Sequence, residues 1–275
     1  MSKHNIALSP LCFLHIPKTG GITLRYVIFN NYRRAKSYTI ESVVFTDRFL
    51  NLSLANRMEY EVVQGHFTFS DKFAYNSATQ FYVMLREPVK RILSHYNFLY
   101  SKKEHPFHKE ITTNNYSLKE MLTQGYVKNF DNCQVRFLSG NTSKKFGDIN
   151  ESDLQLALYN FDKYFSHFGI VEYFDESLLL LTYELNWKFP YYTSLNETKT
   201  KKLAGEIDTE TKQLVEHNSR FDKLLYNHAL AKFEQKLHRY ESRIKTDLVK
   251  LHKGNESKKW LLKLDFMLNK QRILR

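Results

Sequence analysis

The chain has 275 residues, of which 42% are hydrophobic and 15% aromatic, enough to bury a sizeable core in one large domain, alone or with a helical appendage. Its apolar runs fall short of the roughly 20 residues that cross a bilayer, and two cysteines, Cys12 and Cys133, argue against a disulfide framework and suit a reducing compartment. A formal net charge of +12 favours anionic partners, among them nucleotides, phosphorylated or sulfated compounds, nucleic acid and acidic membrane surfaces, without choosing between them.

The first element is an apolar run at residues 11–15. It breaks at Pro17-Lys18-Thr19-Gly20-Gly21 and resumes as a helical pattern through Leu24, Val27 and Ile28. The two glycines let the backbone turn tightly against a ligand, the N–H groups of the new helix point outward, and Lys18 adds a full positive charge. Together they make a site for phosphate or sulfate. The pattern is not Walker A, because the lysine precedes the glycines. Taken alone, the segment also fits an ordinary strand-turn-helix connection.

Further strand-like runs occupy residues 61–65, 80–85 and 167–171, separated by segments long enough for helical crossovers. This alternation predicts a parallel α/β sheet. Helices are expected over residues 89–100 behind Pro88, around Leu154, Leu158 and Phe161, and over residues 175–185. The polar, lysine-rich stretch 197–206 reads as a mobile loop. From Asp208 the pattern changes to long helices, with one apolar stripe through Tyr226, Leu230, Phe233, Leu237, Tyr240, Ile244, Leu248 and Leu251. The expected organisation is an α/β core at 1–205 and a helical C-terminal layer at 206–275 packed on it, a single domain overall. Residues 253–275 form a basic amphipathic segment, expected to dock on the core with a solvated basic face; peripheral contact with an anionic membrane is the alternative.

Arg86 follows the run 80–85, at the carboxyl end of a strand where open α/β sheets place ligands, and Ser94 lies on the next helix. An arginine fork plus a hydroxyl is what a second, separate phosphate needs. Two anion sites flanking one crevice suit a nucleotide that carries a 5′-phosphosulfate and a 3′-phosphate.

His15-Ile16-Pro17-Lys18-Thr19-Gly20-Gly21-Ile22-Thr23-Leu24 resembles the 5′-phosphosulfate loop of sulfotransferases that use 3′-phosphoadenosine 5′-phosphosulfate (PAPS), and Arg86 with Ser94 resembles their R-x7-S element for the 3′-phosphate. The carbohydrate-type branch, related to the heparan sulfate 2-O enzymes and their bacterial relatives, is the most similar. Gly65-His66, Asp131-Asn132-Cys133-Gln134 with Arg136, and residues 168–178 add to the resemblance, which spans 11–196. Ile22 departs from it, standing where a small or hydroxyl residue is common. The resemblance implies a P-loop-like three-layer fold, PAPS as donor with 3′-phosphoadenosine 5′-phosphate (PAP) as product, a carbohydrate or glycan hydroxyl as acceptor, and no required metal.

Sulfuryl transfer needs an in-line nucleophile, stabilised equatorial oxygens and charge neutralisation on the leaving group. Lys18 is assigned to the oxygen bridging sulfur and the 5′-phosphate. Pro17 belongs to the same loop, and the backbone of Gly20, Gly21, Ile22, Thr23 and Leu24, with the hydroxyls of Thr19 and Thr23, would hold the 5′-phosphate. His66, following a strand and a glycine, is the candidate base, with His15 as competitor and as orienter of the turn. Asn132 and Arg136, four apart on one helix face, are candidate contacts to nucleotide or acceptor, an Arg136 ion pair being the structural alternative. Lys199, with Lys201 and Lys202, is a candidate to close over the site. Phe67, Phe69, Tyr96 and Tyr100 are either an aromatic wall or core.

The chain is therefore expected to be a cytoplasmic PAPS-dependent O-sulfotransferase acting by in-line displacement, its number of copies left open by the sequence. The rivals are a nucleotide kinase, disfavoured by the missing Walker A, and a basic nucleic-acid or polyanion-binding protein without catalysis. The last explains the charge but not the paired motifs.

Overall fold

A computed structural model describes residues 8–74, 76–194 and 207–274. The chain runs β1 (Leu11–Leu14), α1 (Gly21–Asn31), β2 (Ser37–Ile40), the one-turn helices α2 (Thr46–Leu50) and α3 (Leu54–Met58), β3 (Val62–Gly65) and β4 (Gln80–Leu85). Then come α4 (Pro88–Ser101), α5 (His108–Thr113), α6 (Leu118–Thr123), α7 (Cys133–Ser139), α8 (Glu151–Tyr164), β5 (His167–Ile170) and α9 (Phe174–Glu184). Four helices close the chain: α10 (Thr209–Asn218), α11 (Arg220–Arg239), α12 (Glu241–Ser257) and α13 (Lys259–Leu274).

The five strands form one sheet in the order β2-β3-β1-β4-β5, and every pairing is parallel. Such a sheet needs both faces covered, and the period-2 alternation of its apolar residues assigns the covers. Leu11, Phe13, Val62, Tyr82 and Met84 meet Leu24, Val27 and Ile28 of α1 and Leu178 and Leu181 of α9. On the other face, Cys12, Leu14, Val63, Phe81, Val83 and Leu85 meet Val135 of α7, Leu154 and Phe161 of α8 and Phe233 of α11. A third cluster joins Ile92, Tyr96 and Leu99 of α4 to α5, α6 and Val215 of α10. The result is the three-layer α/β fold expected, with the four expected strands and the helices expected over 89–100 and 175–185 within a residue of those bounds.

β2 is the strand that sequence reading missed, as it missed the short helices α2, α3, α5 and α6. It is an edge strand of four residues, Ser-Tyr-Thr-Ile, with only Ile40 buried, so it lacks the apolar run that marks its neighbours. The C-terminal stripe is not one helix either: the chain turns at Tyr240, where φ is −113° and ψ 13°. Leu225, Tyr226, Phe233 and Ile244 share the core cluster of the sheet, so these helices complete one of its layers. α13 docks on α1, with the Tyr26 hydroxyl donating to Asp265 at 2.9 Å and Arg33 pairing with Asp265 at 2.6 Å. Its Trp260, Met267 and Leu268 stay exposed. No helix among the described residues is long and apolar enough to cross a membrane.

Gly65 closes β3 at a φ of 135°, and a Cβ there would lie 2.0 Å from the Ile40 carbonyl oxygen. Both the backbone conformation and the close approach demand glycine. Gly65→Ala is expected to cost about 1–3 kcal/mol from backbone strain, with the contact adding to it, read as a lower midpoint in urea unfolding.

Candidate active site

β3, β1 and β4 lie side by side, Leu14 standing in register with Gly65 on one side and Val83 on the other. The residues that leave these strands at their carboxyl ends are His66, the loop 15–20 and Arg86, so all three motifs emerge at one edge. From β1 the chain crosses toward β2, and from β4 toward β5, in opposite directions along the sheet. That divergence is the switch point at which open α/β sheets leave a crevice. Here it is a cleft of about 820 Å³ lined by Pro17, Lys18, Gly20, Gly21, Ile22, Thr23, His66, Arg86 and Ser94, together with His15, His95, Phe98, Val171, Phe174, Tyr192 and Ser194.

The loop is shaped by its backbone. Lys18 and Gly20 both take left-handed conformations, with φ of 72° and 76°, and Gly20 caps α1 without a side chain. The first N–H groups of α1 precede its hydrogen-bond ladder and are free to face an anion. That ladder begins at Leu24, whose N–H donates to the Gly20 carbonyl at 3.3 Å. Leu24 is therefore not a free donor, contrary to expectation; its side chain is buried core. Thr19 also departs from expectation: it is fully buried and its hydroxyl donates to the Ile16 carbonyl at 2.9 Å, tying the turn together. Gly21 cannot carry a side chain, because a Cβ would fall 1.8 Å from His15 Nε2. The His15 ring lies against that glycine, stacked between Phe13 at 5.5 Å and His66 at 4.3 Å, so His15 supports the loop as an orienter would.

Among the described residues neither cation facing the cleft, Lys18 or Arg86, is in a salt bridge, though Glu172 and Glu87 act on Arg86 from farther away. Among the described residues no carboxylate reaches salt-bridge distance of Lys18; its ammonium lies 4.4 Å from the Phe98 ring centre. Burial, with the neighbouring Arg86 cation, pulls Lys18 down to about 8. One Arg86 nitrogen donates to the Lys18 carbonyl at 3.1 Å, while its Nε is buried without a partner. The Gln134 amide holds the Arg86 backbone at both ends, accepting from its N–H and donating to its carbonyl at 2.9 Å each. Ser94 is half-buried in the same cleft.

His66 Nδ1 lies 2.6 Å from the His15 carbonyl. A carbonyl only accepts, so Nδ1 carries the proton and Nε2 keeps a free lone pair. Burial, reinforced by Arg25, lowers the His66 pKa to about 4. The imidazole is therefore neutral at physiological pH.

Other expected contacts turn inward. Asn132 is fully buried; its side-chain oxygen accepts from the N–H groups of Phe221 and Asp222 at 2.9 and 3.2 Å. Arg136, 1% exposed, pairs with buried Asp131 and donates to the carbonyls of Lys144 and Lys145. Both side chains are buried on protein partners, which corrects their candidacy as nucleotide or acceptor contacts and leaves Arg136 in the ion pair that was its structural alternative. Phe67, Phe69 and Tyr96 are core; the aromatic side chains in the cleft are Phe98, Phe174 and Tyr192. Phe98, four residues after Ser94 on α4, was legible as its neighbour on one helical face. Phe174 and Tyr192 carried no local signal. Lys199, Lys201 and Lys202 lie outside the described residues. Among the described residues no group of three His, Cys, Asp or Glu side chains is placed to hold a metal ion.

The imidazoles make a prediction for stability. His15, His66 and His95 are all held below the ordinary histidine range, burial being the first cause in each. As pH falls from 6.5 the unfolded chain takes up protons that the folded chain refuses, so stability is fully present above 6.5 and decreases as pH falls toward 4. Thermal unfolding followed from pH 7.5 to 5 should show a decreasing Tm. His66→Gln should flatten part of that slope.

No protein of curated function matches the chain. A solved structure, the sulfotransferase from Alicyclobacillus acidocaldarius, is similar at 13% identity over 86% of this chain and 96% of that one, with a TM-score of 0.37. The family model described as galactose-3-O-sulfotransferase matches residues 11–265, and the chain therefore belongs to that sulfotransferase family.

Proposed function

We propose that the protein transfers the sulfuryl group of PAPS to a hydroxyl of a carbohydrate acceptor, with His66 as general base. The observation that carries this reading is the pair of cations, Lys18 and Arg86, that stand in one cleft without a salt bridge among the described residues, beside the first N–H groups of α1. Buried cations without partners are costly, and a bound anion removes that cost. The order of the strands supports one allotment of the parts. Arg86 and Ser94, beyond β4, would take the 3′-phosphate; Phe174 and Tyr192, beyond β5, would flank the adenine. Lys18 and the backbone from Gly20 to Thr23, beyond β1, would hold the phosphosulfate, and His66, beyond β3, would meet the acceptor.

In the transfer, the acceptor oxygen bonds to sulfur as the bond from sulfur to the 5′-phosphate oxygen breaks, PAP leaves, and the hydroxyl proton passes to His66 Nε2. Lys18 neutralises charge on the bridging oxygen, the task for which a fixed cation in a dry site is most effective. Its depressed pKa does not oppose this role, because a bound anion favours the protonated amine. His66 offers an unprotonated Nε2 at neutral pH, as a base must.

Isothermal titration with PAP should show binding that EDTA leaves unchanged and that Arg86→Ala weakens by about 10- to 100-fold, the loss of one or more charged hydrogen bonds. Turnover with radiolabelled PAPS should fall by about 10²- to 10⁴-fold in His66→Ala while PAP affinity stays nearly unchanged. Absence of PAP binding, with steeply salt-dependent nucleic-acid binding that survives Lys18→Ala, would replace the reading by a polyanion-binding one.

A further inference from the structure

A third buried cation is left unused by the donor. Arg25 is 7% exposed and its Nε is buried without a partner; among the described residues the guanidinium makes no hydrogen bond or ion pair. It lies on α1, one turn beyond Gly21, whose backbone touches the His15 ring. Helical side chains lean toward the N-terminus of their helix, which carries this one back toward the stacked His15 and His66 rings. α1 itself packs over β1, β3 and β4. The effect of Arg25 on both imidazoles, whose proton affinity it lowers, fits that position.

We propose that Arg25 is an anion subsite for the acceptor: it pairs with a carboxylate or sulfate that the acceptor sugar carries near the hydroxyl deprotonated by His66. This rests on the sulfotransferase reading and narrows its substrate class to acidic glycans. Among the described residues no acidic side chain is paired with Arg25, whose Nε is buried without a partner, and an arginine fork matches either anion.

The test is transfer from radiolabelled PAPS to three oligosaccharides of equal length, one neutral and galactose-based, one containing a uronic acid and one already sulfated. The expected result is a kcat/KM about tenfold or more higher for an acidic acceptor than for the neutral one, the worth of a charged hydrogen bond. The two acidic arms identify carboxylate or sulfate as the anion. Arg25→Gln should erase that preference mainly through KM, and Arg25→Lys should restore part of it, with PAP affinity unchanged in both. Tm supplies a second readout: a guanidinium kept for a ligand leaves Tm level or higher in Arg25→Gln without acceptor, whereas a structural one lowers it. Equal use of the neutral acceptor, or a preference that Arg25→Gln leaves intact, overturns the subsite. Normal PAP binding in that case spares the donor reading, and absence of PAP binding overturns both.

Discussion

Positive charge kept unpaired at the carboxyl edge of a parallel sheet is the constraint around which this molecule is arranged. Lys18, Arg25 and Arg86 are each largely buried, and each has its proton affinity lowered chiefly by that burial. Isolated buried cations destabilise a fold, so the surrounding structure must hold them in place by other means. The Gln134 amide grips the backbone of Arg86, the Phe98 ring lies under the Lys18 ammonium, and the Thr19 hydroxyl pins the turn between them. None of these contacts neutralises charge. They fix position and leave the electrostatic demand open to a ligand, which is how a preorganised anion site differs from a structural ion pair.

Arg136 makes the contrast within the same chain. It has the same side chain and is at least as deeply buried as Arg86, yet Asp131 neutralises it and two carbonyls take its remaining donors. Its work is to hold the segment 144–145 against α7. A few residues away, Asp222 accepts from the N–H groups of Gln134 and Val135 at 3.1 and 2.8 Å, while Asn132 returns the same service to the start of α11. This reciprocal clamp joins the first turns of α7 and α11, and through Gln134 it reaches Arg86. The C-terminal helices thus contribute to the site by position, though none of their side chains lines the cleft.

Much of this was legible in the chain. Apolar runs gave four of five strands, and the residues just after three of them meet in one cleft, because a parallel sheet delivers its strand ends to one edge. What failed has a physical reason in each case. β2 carries polar residues because an edge strand with one covered face can. Asn132 and Arg136 were read as ligand contacts because spacing shows that two residues share a helix face, not whether that face looks at a cleft or a buried aspartate. Thr19 and Leu24 sit inside a motif whose neighbours face the cleft, and only the backbone geometry separates those that face the anion from those that build the turn. Phe174 and Tyr192 come from separate segments brought together by tertiary packing, their rings 5.4 Å apart, and no periodicity links them.

The electrostatics of His66 tie these parts together. In the free protein, burial and Arg25 hold its pKa near 4, so Nε2 is always available but binds a proton weakly. A base of that kind is poorly matched to a hydroxyl until the surrounding charge changes. An anion brought against Arg25 would oppose the cation that depresses it, and so raise the affinity of His66 for a proton. Under the proposed reading, proton acceptance by His66 would then depend on what is bound beside Arg25. An imidazole paired with a resident carboxylate would be a stronger base at rest, but its strength would not respond in this way to what is bound beside it.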